Sequence, residues 1–157
     1  MNIFLVHPSF EQSAKILAVA DPIRARKQLL ECCQLLAHFG PMRKASGEYY
    51  KLGHSNHPVT RHMRISYAQY CLCFNVAFYL AKEFPAHACA TSLKAWHMTY
   101  FHSLCNFNAT PTGIEIKKLV SNLILCRKGQ PQIFVQSIAE YAALMREYCI
   151  STKGMTL

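Results

Sequence analysis

The chain is short of acid. Eight Asp and Glu stand against seventeen Lys and Arg in 157 residues, a formal charge of +9. That imbalance argues against an acidic working surface and favours a polyanion as partner, with nucleic acid first. Glycine is scarce too: there are six, and none falls in a Gly-x-Ser-x-Gly elbow, a phosphate loop or a dinucleotide fingerprint. The enzyme classes that depend on those turns therefore have no signal here. No apolar run reaches 18 residues, because Lys82, Glu83 and His87 interrupt the most apolar stretch, so neither a membrane span nor a membrane partner is expected.

The opening Met-Asn-Ile-Phe-Leu-Val has no basic segment before its apolar residues, and the apolar part is too short for a secretory signal. The eight cysteines are accordingly expected as reduced thiols, and Cys33, Cys71 and Cys105 sit among apolar neighbours, where a thiol acts as a small hydrophobe. The Cys spacing is also wrong for zinc. Cys32 and Cys33 are adjacent, Cys71 and Cys73 are one residue apart, and His54, His57 and His62 occur without a Cys pair or a His-Glu-x-x-His motif. No metal and no cofactor is expected.

What is present is an apolar chain with helical periodicity. Hydrophobic residues make up 52%, which excludes a disordered basic tail, and the length is that of one domain, residues 1–157. Ser9-Phe10-Glu11-Gln12 has capping-box form and predicts a helix to about Ala20. Asp21-Pro22 is an N-cap followed by a residue suited to the first helical turn. It predicts a second helix to about His38, with Ile23, Leu29, Leu30, Cys33 and Leu36 on its buried face.

Residues 40–57 read as a loop carrying Arg43, Lys44 and Lys51. Asn56-His57-Pro58 predicts the start of the longest helix, reaching about Phe84, with Met63, Tyr67, Cys71, Phe74, Ala77, Phe78 and Ala81 as its stripe. Further helices are predicted over 91–105, from a capping box at Thr112-Gly113-Ile114-Glu115 to Cys126, and from about Gln132 to Cys149. No alternating strand stands out, although 114–125 is rich in β-branched residues. The expected fold is all-α: a compact single domain of about five or six helices.

The cations fall where these helices begin and end. Arg24, Arg26, Lys27, Arg61, Arg64, Lys117, Lys118, Arg127 and Lys128 are placed to reach phosphates, and Arg61 and Arg64, three apart, would share a helix face. Simple solvation is the ordinary role of such residues. Tyr49 and Tyr50, beside Lys44 and Lys51, are the aromatics best placed to meet a base, whereas most of the others read as core.

Three stretches, Met1 to His7, Asp21 to Leu36 and Asn56 to Leu80, together resemble the pyrimidine-dimer DNA glycosylases of the phage endonuclease V type and related small viral proteins. The likeness covers roughly residues 1–87, with a looser match at the final helix. It implies a DNA glycosylase with coupled abasic-site lyase activity in DNA repair, needing no cofactor and acting in the host cell cytosol. In that family a terminal α-amine attacks the sugar C1′ while a carboxylate at a helix start stabilises the cationic intermediate.

By position these would be the amine of Asn2 and the carboxylate of Asp21, with Arg24 on phosphate and His57 at the family's histidine. The chain departs from the pattern at two of them. Asn2 stands where the family exposes a threonine by removing Met, and Asp21 is one methylene shorter than the family's glutamate, in a reaction sensitive to about 1 Å. The rival expectation is a non-enzymatic protein on the same fold that holds DNA, a nucleotide or a host factor.

Overall fold

The computed structural model describes residues 2–105, 123–126 and 131–157. Two helices open it in close succession, α1 (Phe10–Ala20) and α2 (Pro22–Leu36), and a single residue serves both. The backbone N–H of Asp21 donates to the Leu17 carbonyl and finishes α1. Its carboxylate accepts the Arg24 N–H at 2.9 Å and starts α2. The buried residues of α2 are Ala25, Gln28, Leu29, Cys32, Cys33, Leu35 and Leu36, all but Leu35 on a stripe at spacings of three and four. Ile23 and Leu30, predicted for that face, lie off the stripe, and Ile23 is 77% exposed.

The single long helix predicted from Pro58 is two. α3 (Pro58–Met63) ends at Arg64, and α4 (Tyr67–Glu83) starts afresh behind Ser66, whose backbone is extended and whose hydroxyl accepts the Gln69 N–H at 3.2 Å. Ser66-Tyr67-Ala68-Gln69 is itself a capping-box sequence, hidden inside a periodic apolar run. α4 is the central helix. It packs against α1, α2, α3 and α5 (Ala88–Cys105), so its buried residues run round most of its circumference, with Tyr70, Leu72, Cys73, Val76 and Leu80 among them. The single-stripe expectation was too narrow, and the predicted Tyr67 and Phe78 stay partly exposed.

The remaining elements correct two helix predictions. Leu123–Leu125 is a strand, β1, not the end of a helix, and Ile133–Val135 is a strand, β2, where the last helix was expected to begin. They pair antiparallel, with Leu123 opposite Val135, Ile124 opposite Phe134 and Leu125 opposite Ile133. Three-residue apolar runs such as Leu-Ile-Leu and Ile-Phe-Val are too short to show alternation, so their pairing is decided by the packing around them. The rest of the predicted 112–126 segment lies outside the described residues.

The final helix, α6 (Ile138–Lys153), begins only after Ser137, whose hydroxyl accepts the Glu140 N–H at 3.1 Å, and it stops at Gly154 in the left-handed conformation. The protein is mainly helical, with six helices and this one two-stranded sheet among the described residues. None of those helices is long and apolar enough to cross a membrane.

The amino-terminal segment threads through the interior. Ile3, Leu5 and Val6 are buried; the Ile3 carbonyl accepts from the Tyr141 hydroxyl at 2.9 Å, and the Val6 N–H donates to Ser13. Gln69 of α4 accepts the Ile124 N–H at 2.8 Å and fixes the sheet to the helical core.

Candidate nucleic-acid interface

Side chains from two separate parts of the chain form an open cleft of about 660 Å³. Pro58, Arg61, His62, Arg64 and Ile65 come from α3 and the turn that ends it, while Gln132 lies just before β2 and Phe134 within it. α3 forms because His57 is an extended N-cap whose ring Nδ1 accepts the Val59 N–H at 3.2 Å, and Pro58 fits the first turn. Ser66 breaks the helix soon after. Arg61 in the last turn and Arg64 at the C-cap therefore open onto the cleft instead of running down the side of a longer helix.

The two arginines set the charge of this cleft. Neither makes an ion pair among the described residues, and Arg64 Nε is buried with no hydrogen-bond partner there. Phe134 is 55% exposed. Its ring packs against His62 in a T-shaped arrangement, 6.0 Å between centroids, so it is braced by the protein. His57, at the start of α3, is depressed to about 4, first by burial, then by the positive amino terminus and by His54. It is neutral at physiological pH and leaves the arginines as the permanent cations of the cleft.

The other predicted site residues are scattered, and several are already engaged. Asn2 is 5% exposed; its side-chain oxygen accepts the Cys126 N–H at 2.9 Å and its amide donates to the Cys126 carbonyl at 2.6 Å. Asp21 and Arg24 form an ion pair of 3.2 Å, and Arg24 also donates to the Lys153 carbonyl at 2.7 Å, tying the start of α2 to the end of α6. Arg26 lies over the Phe84 ring at 5.3 Å. Lys44 pairs with Glu48 at 3.1 Å. Lys27 and Lys51 are exposed, and Lys117, Lys118, Arg127 and Lys128 lie outside the described residues.

Tyr50, predicted to meet a base, is 6% exposed. Its hydroxyl donates to Cys89 Sγ at 3.2 Å and lies 3.4 Å from Ser92 Oγ, because the loop folds back over the amino end of α5. Hydrogen bonds from Cys33 and Tyr50, with His87 nearby, pull the Cys89 thiol down to about 6. Cys89 is only 3% exposed, however, so this cluster is closed to a substrate. Tyr49 remains exposed, with the Arg43 guanidinium over its ring at 4.5 Å and bonded to its hydroxyl at 2.7 Å.

Phe134 and Gln132 are the cleft residues that sequence reasoning missed, since both were assigned to a helix. The signal for them was Ser137-Ile138-Ala139-Glu140, a capping box that ends any preceding element. Among the described residues no group of three or more His, Cys, Asp or Glu is gathered to hold a metal. In comparison with known proteins, the chain matches no family model, no curated protein and no solved structure.

Proposed function

We propose that this protein binds nucleic acid through its phosphates, with Arg61 and Arg64 as the principal anchors. The observation that carries the reading is two guanidinium groups on one cleft without a carboxylate partner among the described residues, in a chain with a net charge of +9. Guanidinium binds phosphate in bidentate fashion and stays charged at any physiological pH. Exposed Arg26, Lys27 and Lys51, elsewhere on the surface, add to the overall positive field that speeds encounter.

Salt titration tests this reading. Affinity for a mixed-sequence oligonucleotide should fall steeply with salt, and replacing Arg61 and Arg64 together by Ala should reduce the log-log slope by about 1 to 2 units, roughly 0.9 for each phosphate left without its cation. An unchanged slope in a folded double variant rules the cleft out.

The glycosylase and lyase activity implied by the resemblance requires Asp21 and Arg24 to face a substrate, whereas the two side chains are paired with each other and Arg24 is also bonded to the end of α6. Binding without chemistry is therefore the leading reading. Borohydride reduction on abasic-site DNA decides between the two: a covalent adduct through the terminal amine makes the protein a lyase, and none under saturated binding keeps it a binding protein.

A further inference from the structure

We infer that the cleft is built for an unpaired strand, with one base stacked on Phe134 while Arg61 and Arg64 hold the adjoining phosphates. This rests on the nucleic-acid reading above and adds to it the form of the ligand. A paired duplex turns the faces of its bases inward, where they stack on one another, and offers an exposed ring only base edges, sugar and phosphate. A single strand presents base faces, and an aromatic ring beside cations is the combination that binds it with little regard for sequence.

Three features of Phe134 fit that role. With Tyr49 it is one of the two most exposed Phe, Tyr or Trp rings among the described residues, at 55%. It sits on a strand whose pairing with β1 fixes its backbone, opposite Ile124, and its ring packs against His62, so little freedom is given up when a base covers its exposed surface. The cleft's volume of about 660 Å³ lies in the range that takes a small organic ligand such as one nucleotide, roughly 300–1,000 Å³. Gln132, at the same cleft, carries both a donor and an acceptor for a base edge.

The test uses the full chain with four probes of equal length: oligothymidylate, oligouridylate, a duplex, and an abasic phosphodiester strand that carries the charge without bases. Phe134→Ala should weaken oligothymidylate or oligouridylate binding by roughly 5- to 150-fold, the range for removing one base-aromatic stack. Its affinity for the abasic strand and for the duplex should stay within about twofold. Phe134→Trp keeps a stacking surface and adds a reporter, because the native Trp96 is buried. It should bind like the parent, and its emission should be quenched by the base-bearing strands and not by the abasic one.

Tighter binding of oligouridylate than of oligothymidylate would assign the strand as RNA, and the reverse as DNA; either agrees with the inference. Equal weakening on all four probes, or none on any while Arg61→Ala/Arg64→Ala still weakens binding, overturns base stacking and leaves phosphate binding intact. Absence of binding to every probe overturns both.

Discussion

Asn2 offers the sharpest test of how the amino terminus is held. Its side chain makes two hydrogen bonds to the backbone of Cys126, at 2.9 and 2.6 Å, and thereby stitches the first residues to the end of β1. Asn2→Leu preserves the approximate shape and removes both partners. Two bonds at about 1 kcal/mol each, together with part of the cost of leaving the half-buried Cys126 N–H and C=O unsatisfied, put the destabilisation at roughly 2–3 kcal/mol. For a chain of this length that is about 5–10 °C in Tm.

Asn2→Asp sharpens the point. The carboxylate keeps the acceptor toward the Cys126 N–H but sets a negative oxygen against the Cys126 carbonyl, so the introduced group should have a raised pKa. Its penalty should shrink as the pH falls and the carboxyl takes up a proton. Urea denaturation followed by far-ultraviolet circular dichroism, at about pH 7 and about pH 4.5, measures both effects. An Asn2→Leu variant within about 0.5 kcal/mol of the parent, well short of two hydrogen bonds, would refute the clamp.

Other outcomes follow from the same geometry. Tyr141→Phe leaves the buried Ile3 carbonyl without its donor and should cost about 1–2 kcal/mol in denaturant melts; a neutral substitution would show that water replaces the hydroxyl. Arg24→Ala breaks the contacts to Asp21 and Lys153 and should lower stability by roughly 1 kcal/mol, whereas Asp21→Asn, which keeps a capping oxygen, should cost less. If Asp21→Asn instead left stability intact but abolished an abasic-site adduct, the carboxylate would be catalytic. His57, neutral down to about pH 4 in the native state against 6.5 as its ordinary value, refuses a proton that the unfolded chain accepts. Stability should therefore fall as pH drops from 6.5 to about 4, by about 1 kcal/mol once solvent screening of a half-exposed ring is allowed for. His57→Asn, a better cap without a titrating ring, should flatten the decline, and an unchanged pH profile would assign it to other groups.

The sequence by itself determined the helical character of the chain and the start of each early helix. Ser9 and Asp21 act through bonds to residues three places away, so nothing distant can alter what they specify. The same local chemistry marks Ser66 and Ser137, yet there it competes with apolar runs that read through them, which hides the break in the long helix. The charge imbalance was equally plain, but which cations would stay unpaired was not. Among the described residues Arg24 and Lys44 have carboxylate partners, while Arg61 and Arg64 do not.

Tertiary structure alone decided the rest. Three-residue strands carry too little pattern to be distinguished from a helix, and they exist because Gln69, Asn2 and one another take up their backbone groups. Only that pairing sets Phe134 beside Arg61 and Arg64, some 70 residues earlier in the chain. Only the fold of the 40–57 loop turned Tyr50 inward and left Tyr49 outside, because two adjacent tyrosines are alike in sequence and differ solely in what lies across from them.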